Sequence, residues 1–142
     1  RDAPAPIVAR ERDERAVQAA RRSLKAAWMN RWVEVEQRDA LDLELPWSEG
    51  GIIVANPPYG KRVGDVKRLG NFYKRFGDQL KKKAQGATAW LIVGNRELAN
   101  QIGLKARRRI PLFNGPIECR LLKYELYAGS RKHQQESTPE SQ

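Results

Sequence analysis

Apolar and polar positions recur with two different periods along this chain of 142 residues, and the switches between them mark its elements. Residues 7–11 read as a short strand, and Asp13 stands where it can cap a following helix. In that helix Val17, Ala20, Leu24 and Ala27 return to one face while Arg15, Arg21, Arg22 and Lys25 stay outside, and the pattern runs out near Asn30. Val33 and Val35 then alternate with Glu34 and Glu36 as in a half-buried strand, which the polar Gln37, Arg38 and Asp39 close. Residues 41–51 form a connection with a turn at 48–51. The apolar residues 52–55 lead straight into Asn56-Pro57-Pro58-Tyr59-Gly60.

After a Gly- and Lys-rich loop, a helix over about residues 69–84 collects Leu69, Phe72, Tyr73, Phe76 and Leu80 on one stripe, with Lys74, Arg75, Lys81 and Lys82 over much of the rest. Gly86 stops it. Residues 87–93 are a continuous apolar run suited to a strand buried on both faces, and a short helix over 96–102 follows. Segments 107–113 and 117–127 flank Asn114-Gly115-Pro116 and predict a hairpin despite the proline after the turn. Residues from Arg131 onward are polar and are expected to be disordered. The succession strand, helix, strand, strand, helix, strand, helix, hairpin gives an α/β class with an antiparallel end. A nucleotide-binding sheet of that class normally opens with a strand and a Gly-rich turn, and nothing of the kind precedes Ile7.

Charge changes this picture. The chain has 27 basic and 17 acidic residues, a formal net charge of +10 and a pI near 10.1, which suggests a polyanionic partner. The excess is local. Lys61, Arg62, Lys67, Arg68, Lys74, Arg75, Lys81, Lys82 and Lys83 face only Asp65 and Asp78 in the stretch after Tyr59. A second cluster, Lys105, Arg107, Arg108 and Arg109, precedes the hairpin. Phosphate contacts are expected from Lys61, Arg62, Lys67, Arg68, Arg107 and Arg108. The lone Cys119 reads as a reduced core thiol. No run is long and apolar enough to span a membrane, and the polar amino terminus is no secretory signal, so a cytoplasmic location without a membrane partner is expected.

Asn56 to Tyr59 carry the most specific chemistry. At the carboxyl end of a buried strand, where open α/β sheets place their ligands, Asn56 offers an amide acceptor and donors. Pro57 and Pro58 stiffen the exit and leave their carbonyls to accept. The Asn56 oxygen and the Pro57 carbonyl can hold the two hydrogens of an exocyclic amino group, turning its lone pair toward an incoming methyl group, and Tyr59 offers a face for stacking the base. Positioning of this kind supplies up to roughly 7–11 kcal/mol in favourable intramolecular cases. No metal is expected.

With Glu11, Asp39 and Asn56-Pro57-Pro58-Tyr59 ending successive strands, the chain resembles the class I S-adenosylmethionine-dependent methyltransferases, with a Rossmann-like, mostly parallel sheet. The strings Asn56-Pro-Pro-Tyr-Gly-Lys-Arg, Gly94-Asn-Arg-Glu-Leu-Ala, Ile102-Gly-Leu-Lys and Leu112-Phe-Asn-Gly-Pro-Ile-Glu-Cys-Arg-Leu are similar to the THUMP-associated RNA methylases, especially the bacterial 23S ribosomal RNA guanine-N2 methyltransferases. The resemblance covers about residues 7–127. It implies that Glu11, with Asp13 the alternative, takes the cofactor ribose hydroxyls and that Arg12 lies beside them. Asp39 would accept from the adenine amino group, with the Ala40 N–H reaching the ring. Asn56, Pro57, Pro58 and Tyr59 would form the target-base pocket, with Asn56 also at the cofactor.

The resemblance further implies that residues 1–129 are part of a catalytic domain, followed by a polar tail at 130–142. The Gly-rich first motif, the first strand and the THUMP module of the family are not in this sequence. Because that strand lies centrally, between the Glu11 and Asn56 strands, two parts of the sheet would lack their shared neighbour. The chain is therefore expected to be the carboxyl-terminal part of a longer enzyme and to bind cofactor poorly alone. The implied reaction is methylation of the 2-amino group of a guanine in 23S ribosomal RNA. Adenine-N6 methylation of DNA or RNA, glutamine methylation of a protein, and a non-catalytic RNA-binding role are the alternatives.

Overall fold

The computed structural model describes residues 5–58 and 63–127. Nine elements follow one another within them: β1 (Ile7–Glu11), α1 (Glu14–Ala26), β2 (Val33–Gln37), β3 (Ile52–Ala55), α2 (Val63–Lys83), β4 (Thr88–Val93), α3 (Arg96–Gln101), β5 (Arg108–Asn114) and β6 (Ile117–Glu125). The α/β class and the element order agree with the sequence pattern. The strands fall into two hydrogen-bonded sheets, β1-β2 and β3-β4-β6-β5, and the chain divides into two compact units at Pro46/Trp47. The strands expected to lack a common neighbour are those that separate into these two sheets.

In the first unit β1 and β2 pair in parallel, with Ile7 opposite Val33 and Glu11 opposite Gln37. A crossover helix is what a parallel pair requires, and α1 supplies it, burying Val17. Asp13 caps α1 as expected, its side chain accepting from the Ala16 N–H at 3.0 Å. The helix stops at Ala26, four residues before Asn30. Trp28 adopts φ +59°, and the Met29 N–H reaches back to the Leu24 carbonyl at 2.8 Å, a left-handed closure usually made by glycine.

The second unit is organised on β4. Parallel β3 lies along one edge, with Ala55 opposite Leu91, and antiparallel β6 along the other, with Val93 opposite Arg120. One face of this sheet presents Ala89, Leu91, Val93, Leu122 and Tyr124, all buried together with Tyr73, Phe76 and Leu80 of α2 and Leu98 of α3. The other face buries Cys119 and is uncovered along β3. Ile52 and Val54 are 65% and 70% exposed, and Trp90 is covered in part by Lys123, whose ammonium sits 5.5 Å from the ring centre. The apolar run at 87–93 is thus fully buried on one face only, with Trp90 and Ile92 half-buried. Periodicity alone does not show whether a second layer covers an apolar run.

The turn expected at 48–51 forms with Gly50 and Gly51 at positive φ. The hairpin also forms, Asn114 opposite Ile117. Pro111 within β5 is tolerated because β5 is an edge strand. The largest departure is α2, which begins at Val63 rather than near Leu69. Gly64 and Gly70 count against a helix by about 1 kcal/mol each, yet Val66 continues the apolar stripe one turn earlier and is half-buried. Tertiary packing overrode propensity. Lys67 and Arg68 consequently stand on a helix rather than in a loop.

Two glycines of α2 distinguish packing from propensity. A Cβ on Gly77 would come 1.9 Å from the Ile102 carbonyl oxygen, whereas one on Gly70 would meet nothing nearer than the Gln101 Cγ at 3.7 Å. Alanine should stabilise an open helical site by up to about 1 kcal/mol, while overpacking typically costs about 1–3 kcal/mol. Urea denaturation of Gly70→Ala is expected to show a raised midpoint and that of Gly77→Ala a lowered one. Two midpoints moving in the same direction would contradict this account.

Candidate methyl-transfer site

The residues singled out by sequence lie in both compact units. In the first, parallel pairing brings the carboxyl ends of β1 and β2 to one edge, so Glu11, Arg12, Asp39 and Ala40 follow adjacent strands there. The Glu11 Oε1 accepts from the Asp13 N–H at 2.9 Å, and its Oε2 makes no hydrogen bond among the described residues. Asp13 is already committed as a cap, which favours Glu11 of the two for a ligand. Arg12 is exposed, with its carbonyl taken by the Gln37 amide at 3.1 Å.

Asp39 is half-buried, with Oδ1 accepting from the Leu41 N–H at 2.8 Å. Its other oxygen and the Ala40 N–H make no hydrogen bond among the described residues. Two arginines hold this loop. Arg38 donates from Nε to the Asp42 carbonyl at 2.8 Å and from Nη2 to Glu44 at 2.9 Å, and Arg10 bonds Glu36 at 2.7 Å as well as the Glu44 carbonyl. The Glu44 and Asp42 carboxylates raise the Arg38 pKa further above its ordinary value. The sequence marked the acid at 39 and missed the arginine that shapes its loop; an arginine adjoining that acid with Asp42 and Glu44 four and six residues on was the available signal.

In the second unit Asn56 leaves β3 at its carboxyl end. Its side chain is exposed and makes no hydrogen bond among the described residues, while Pro57 is buried. No group among the described residues takes the polar edge of the amide, and the following ring is fixed in the protein. The Pro58 carbonyl is not open as expected: it accepts a 2.8 Å hydrogen bond from the Tyr73 hydroxyl. Tyr73 is fully buried, with Phe72 edge-on at 5.9 Å. Periodicity assigned Tyr73 to the apolar stripe, which is correct for its ring. The clue to its second role was the hydroxyl itself, because a buried phenol needs a partner.

Tyr59, Lys61 and Arg62 lie outside the described residues. Lys67 and Arg68 are exposed on α2. Arg107 is engaged by Glu125 at 3.3 Å, whereas Arg108 is exposed on the hairpin and forms no ion pair among the described residues. Tyr127, Arg107 and Lys123 together hold the Glu125 carboxyl below its ordinary pKa. Cys119 is buried and free.

The family model for the RMKL-like methyltransferase domain matches residues 1–123. The chain belongs to this family. A Synechocystis sp. protein, slr0064, named as a candidate RNA methyltransferase, is 39% identical over 123 residues, or 87% of this chain and 32% of that protein. The ribosomal RNA large subunit methyltransferase K/L of Methylococcus capsulatus is 40% identical over 121 residues, 85% of this chain and 16% of its own length. The RMKL-like chain thus spans about a third or a sixth of these relatives.

Among solved structures, a possible methylase from Clostridium difficile 630 superposes with a TM-score of 0.79 at 26% identity, covering 89% of this chain and 33% of that one. SMU.472, a methyltransferase candidate solved with SAH, gives 0.78 at 22% identity over 87% of this chain and 32% of its own. These similarities place the RMKL-like chain in the Rossmann-like methyltransferase fold, and they agree with the family read from Asn56-Pro57-Pro58-Tyr59.

Removing the Tyr73 hydroxyl should release the Pro58 carbonyl while leaving the ring packed. Tyr73→Phe is expected to lower stability by about 1 kcal/mol, the usual net worth of such a bond, and to speed amide exchange selectively near Pro58. Exchange unchanged in that segment would show that the bond does not hold it.

Proposed function

We propose that this domain transfers the methyl group of S-adenosylmethionine to the exocyclic N2 of a guanine in 23S ribosomal RNA. The observation that carries this reading is the exposed, uncommitted Asn56 amide at the end of β3, followed by the buried Pro57 and by Pro58 anchored to Tyr73. A rigid backbone with a free amide is what orienting a weakly basic amino group requires. The relatives named for ribosomal RNA and the charge of +10 favour an RNA substrate over a protein.

The residues of the first unit fit the cofactor's adenosine. The open Glu11 oxygen can accept from the ribose hydroxyls beside Arg12, and the open Asp39 oxygen and the Ala40 N–H can serve the adenine edge. When bound, S-adenosylmethionine supplies an electrophilic methyl group on a sulfonium sulfur. Asn56 and the Pro57 carbonyl would hold the two amine hydrogens and turn the lone pair toward that methyl group; transfer to the nitrogen would leave S-adenosylhomocysteine, with the displaced amine proton released to water. Tyr59 stacks the base, and Lys61, Arg62, Lys67, Arg68, Arg107 and Arg108 contact phosphates, offsetting a cost of a few kcal/mol for taking the base out of its stack.

The open face of β3, with Ile52 and Val54, and the division of the strands into two sheets support a further part of this reading. An amino-terminal part of the same enzyme, holding the central strand, the Gly-rich loop and a THUMP module, would complete the sheet. The residues at 1–129 would then be one portion of a catalytic domain, of low cofactor affinity on their own.

In the intact protein, Asn56→Ala is expected to lower kcat by about 100-fold or more, the scale of misplacing a reacting group, while RNA affinity stays within about threefold, under 1 kcal/mol. Unchanged turnover would remove Asn56 from the mechanism. Mass mapping of the methylated nucleoside decides the target atom: N6-methyladenosine in place of N2-methylguanosine would overturn the guanine assignment. Methylation of protein glutamine alone would overturn the RNA reading.

A further inference from the structure

A cavity of about 400 Å³ lies between α3 and the β5-β6 hairpin in the second unit, and three arginines, Arg96, Arg109 and Arg120, line it together with Glu118. None of the three side chains makes a hydrogen bond or ion pair among the described residues. That sets them apart from Arg10, Arg38 and Arg107, each of which is held by a carboxylate. Arg109 lies opposite Leu122 and Arg120 opposite Pro111, so the two arginines are diagonal neighbours on one face, on the order of 7 Å apart at the backbone. Like charges so placed repel one another, and the single Glu118 leaves a surplus of positive charge at the cavity. An anion with several acceptor oxygens relieves that repulsion, and guanidinium groups match phosphate geometry.

A second observation concerns an aromatic ring. Alternation along β5 puts Phe113 on the same face as Arg109, and its pairing partner is Glu118. Phe113 is 73% exposed at the end of the hairpin, although the same strand half-buries Ile110 and Leu112 on its other face. An exposed ring beside uncommitted cations is the combination that binds single-stranded nucleic acid, with the ring stacking a base and the cations tracking the backbone.

The location is also informative. Arg120 lies opposite Val93 at the carboxyl end of β4, and Ala55, just before Asn56, lies opposite Leu91. Asn56 thus follows the end of β3 and Arg120 sits within β6 near the same end of the sheet, one strand to either side of β4, with backbones on the order of 10 Å apart by strand spacing. One oligonucleotide can engage both. Burial drives the Tyr124 hydroxyl up to about 12 while Arg109 pulls it down, so the Arg109 charge is felt inside the cavity.

We propose that Arg96, Arg109 and Arg120 bind a backbone phosphate of the RNA strand flanking the target nucleotide, and that Phe113 stacks the adjoining base. This rests on the RNA reading above. It adds a subsite on the hairpin face, distinct from the basic run after Tyr59, that selects for an unpaired neighbour to the methylated base.

The test is fluorescence anisotropy of the intact protein with a single-stranded RNA oligonucleotide over a range of salt. Arg109→Gln combined with Arg120→Gln is expected to weaken binding about tenfold or more and to reduce the log-affinity against log-salt slope by about 0.7, the value for one phosphate on a single strand. Phe113→Ala should weaken binding about fivefold or more with the slope unchanged, as base stacking does. S-adenosylmethionine titration of each variant checks that the fold is intact. The exposed pair Lys82→Gln and Lys83→Gln serves as the charge-matched control and should change affinity by less than about twofold, as distant surface charges do.

Several results would overturn the subsite while leaving the enzyme reading in place: wild-type affinity and slope in the arginine variant, an equal loss in the lysine control, or inorganic phosphate binding at these arginines without competing with RNA. A wild-type protein that methylates no RNA and binds none would overturn both.

Discussion

β4 is hydrogen-bonded along both edges, and the ends at which Asn56 and Arg120 stand in the second unit follow from that. A strand surrounded by others must satisfy its backbone groups on each side, and here the two sides differ in direction. The parallel side sends the chain of β3 out at the same end as β4, where Asn56 leaves the sheet. The antiparallel side brings Arg120 back to that end from the hairpin. A parallel β6 would have put Arg120 elsewhere. The direction of two strand pairs is thus what assembles the polar residues at one edge.

Rigidity at that edge comes from an unusual division of labour. Prolines fix the backbone after Asn56 but remove the N–H groups that would tie the segment to the sheet. The Tyr73 hydroxyl compensates by reaching the Pro58 carbonyl from α2, and Phe76 and Leu80 bury the same helix against the sheet. The position of the loop therefore depends on a helix fifteen residues downstream. In the first unit the loop carrying Asp39 and Ala40 is held by Arg10 and Arg38. The first of these segments is held by Tyr73 from a distant helix, and the second by Arg10 of β1 together with Arg38 of the loop itself.

Charge in this protein is organised at two levels. Arginines that hold loops meet carboxylates, and those around the cavity between α3 and the hairpin do not. The first group stabilises the fold by local ion pairs of modest individual worth. The second leaves a field that attracts anions and costs the isolated domain some repulsion. Ile52 and Val54 add an exposed apolar edge to this unit.

Periodicity and punctuation settled the secondary structure. Alternation at Val33 to Gln37, the apolar stripe through Phe76 and Leu80, the Asp13 cap and the Asn114-Gly115-Pro116 turn are local signals, and local backbone preference is enough to read them. The motif at Asn56 likewise carried the family, because side-chain types in fixed order survive without coordinates. Other features were decided only in three dimensions. The early start of α2 needed packing to outweigh two glycines, and the half-open β4 needed knowledge of what covers its second face. The engagement of Pro58 by Tyr73 and the grouping of Arg96, Arg109 and Arg120 join residues 11 to 24 positions apart. Such contacts depend on strand direction and register, which the order of residues constrains only through the folded sheet.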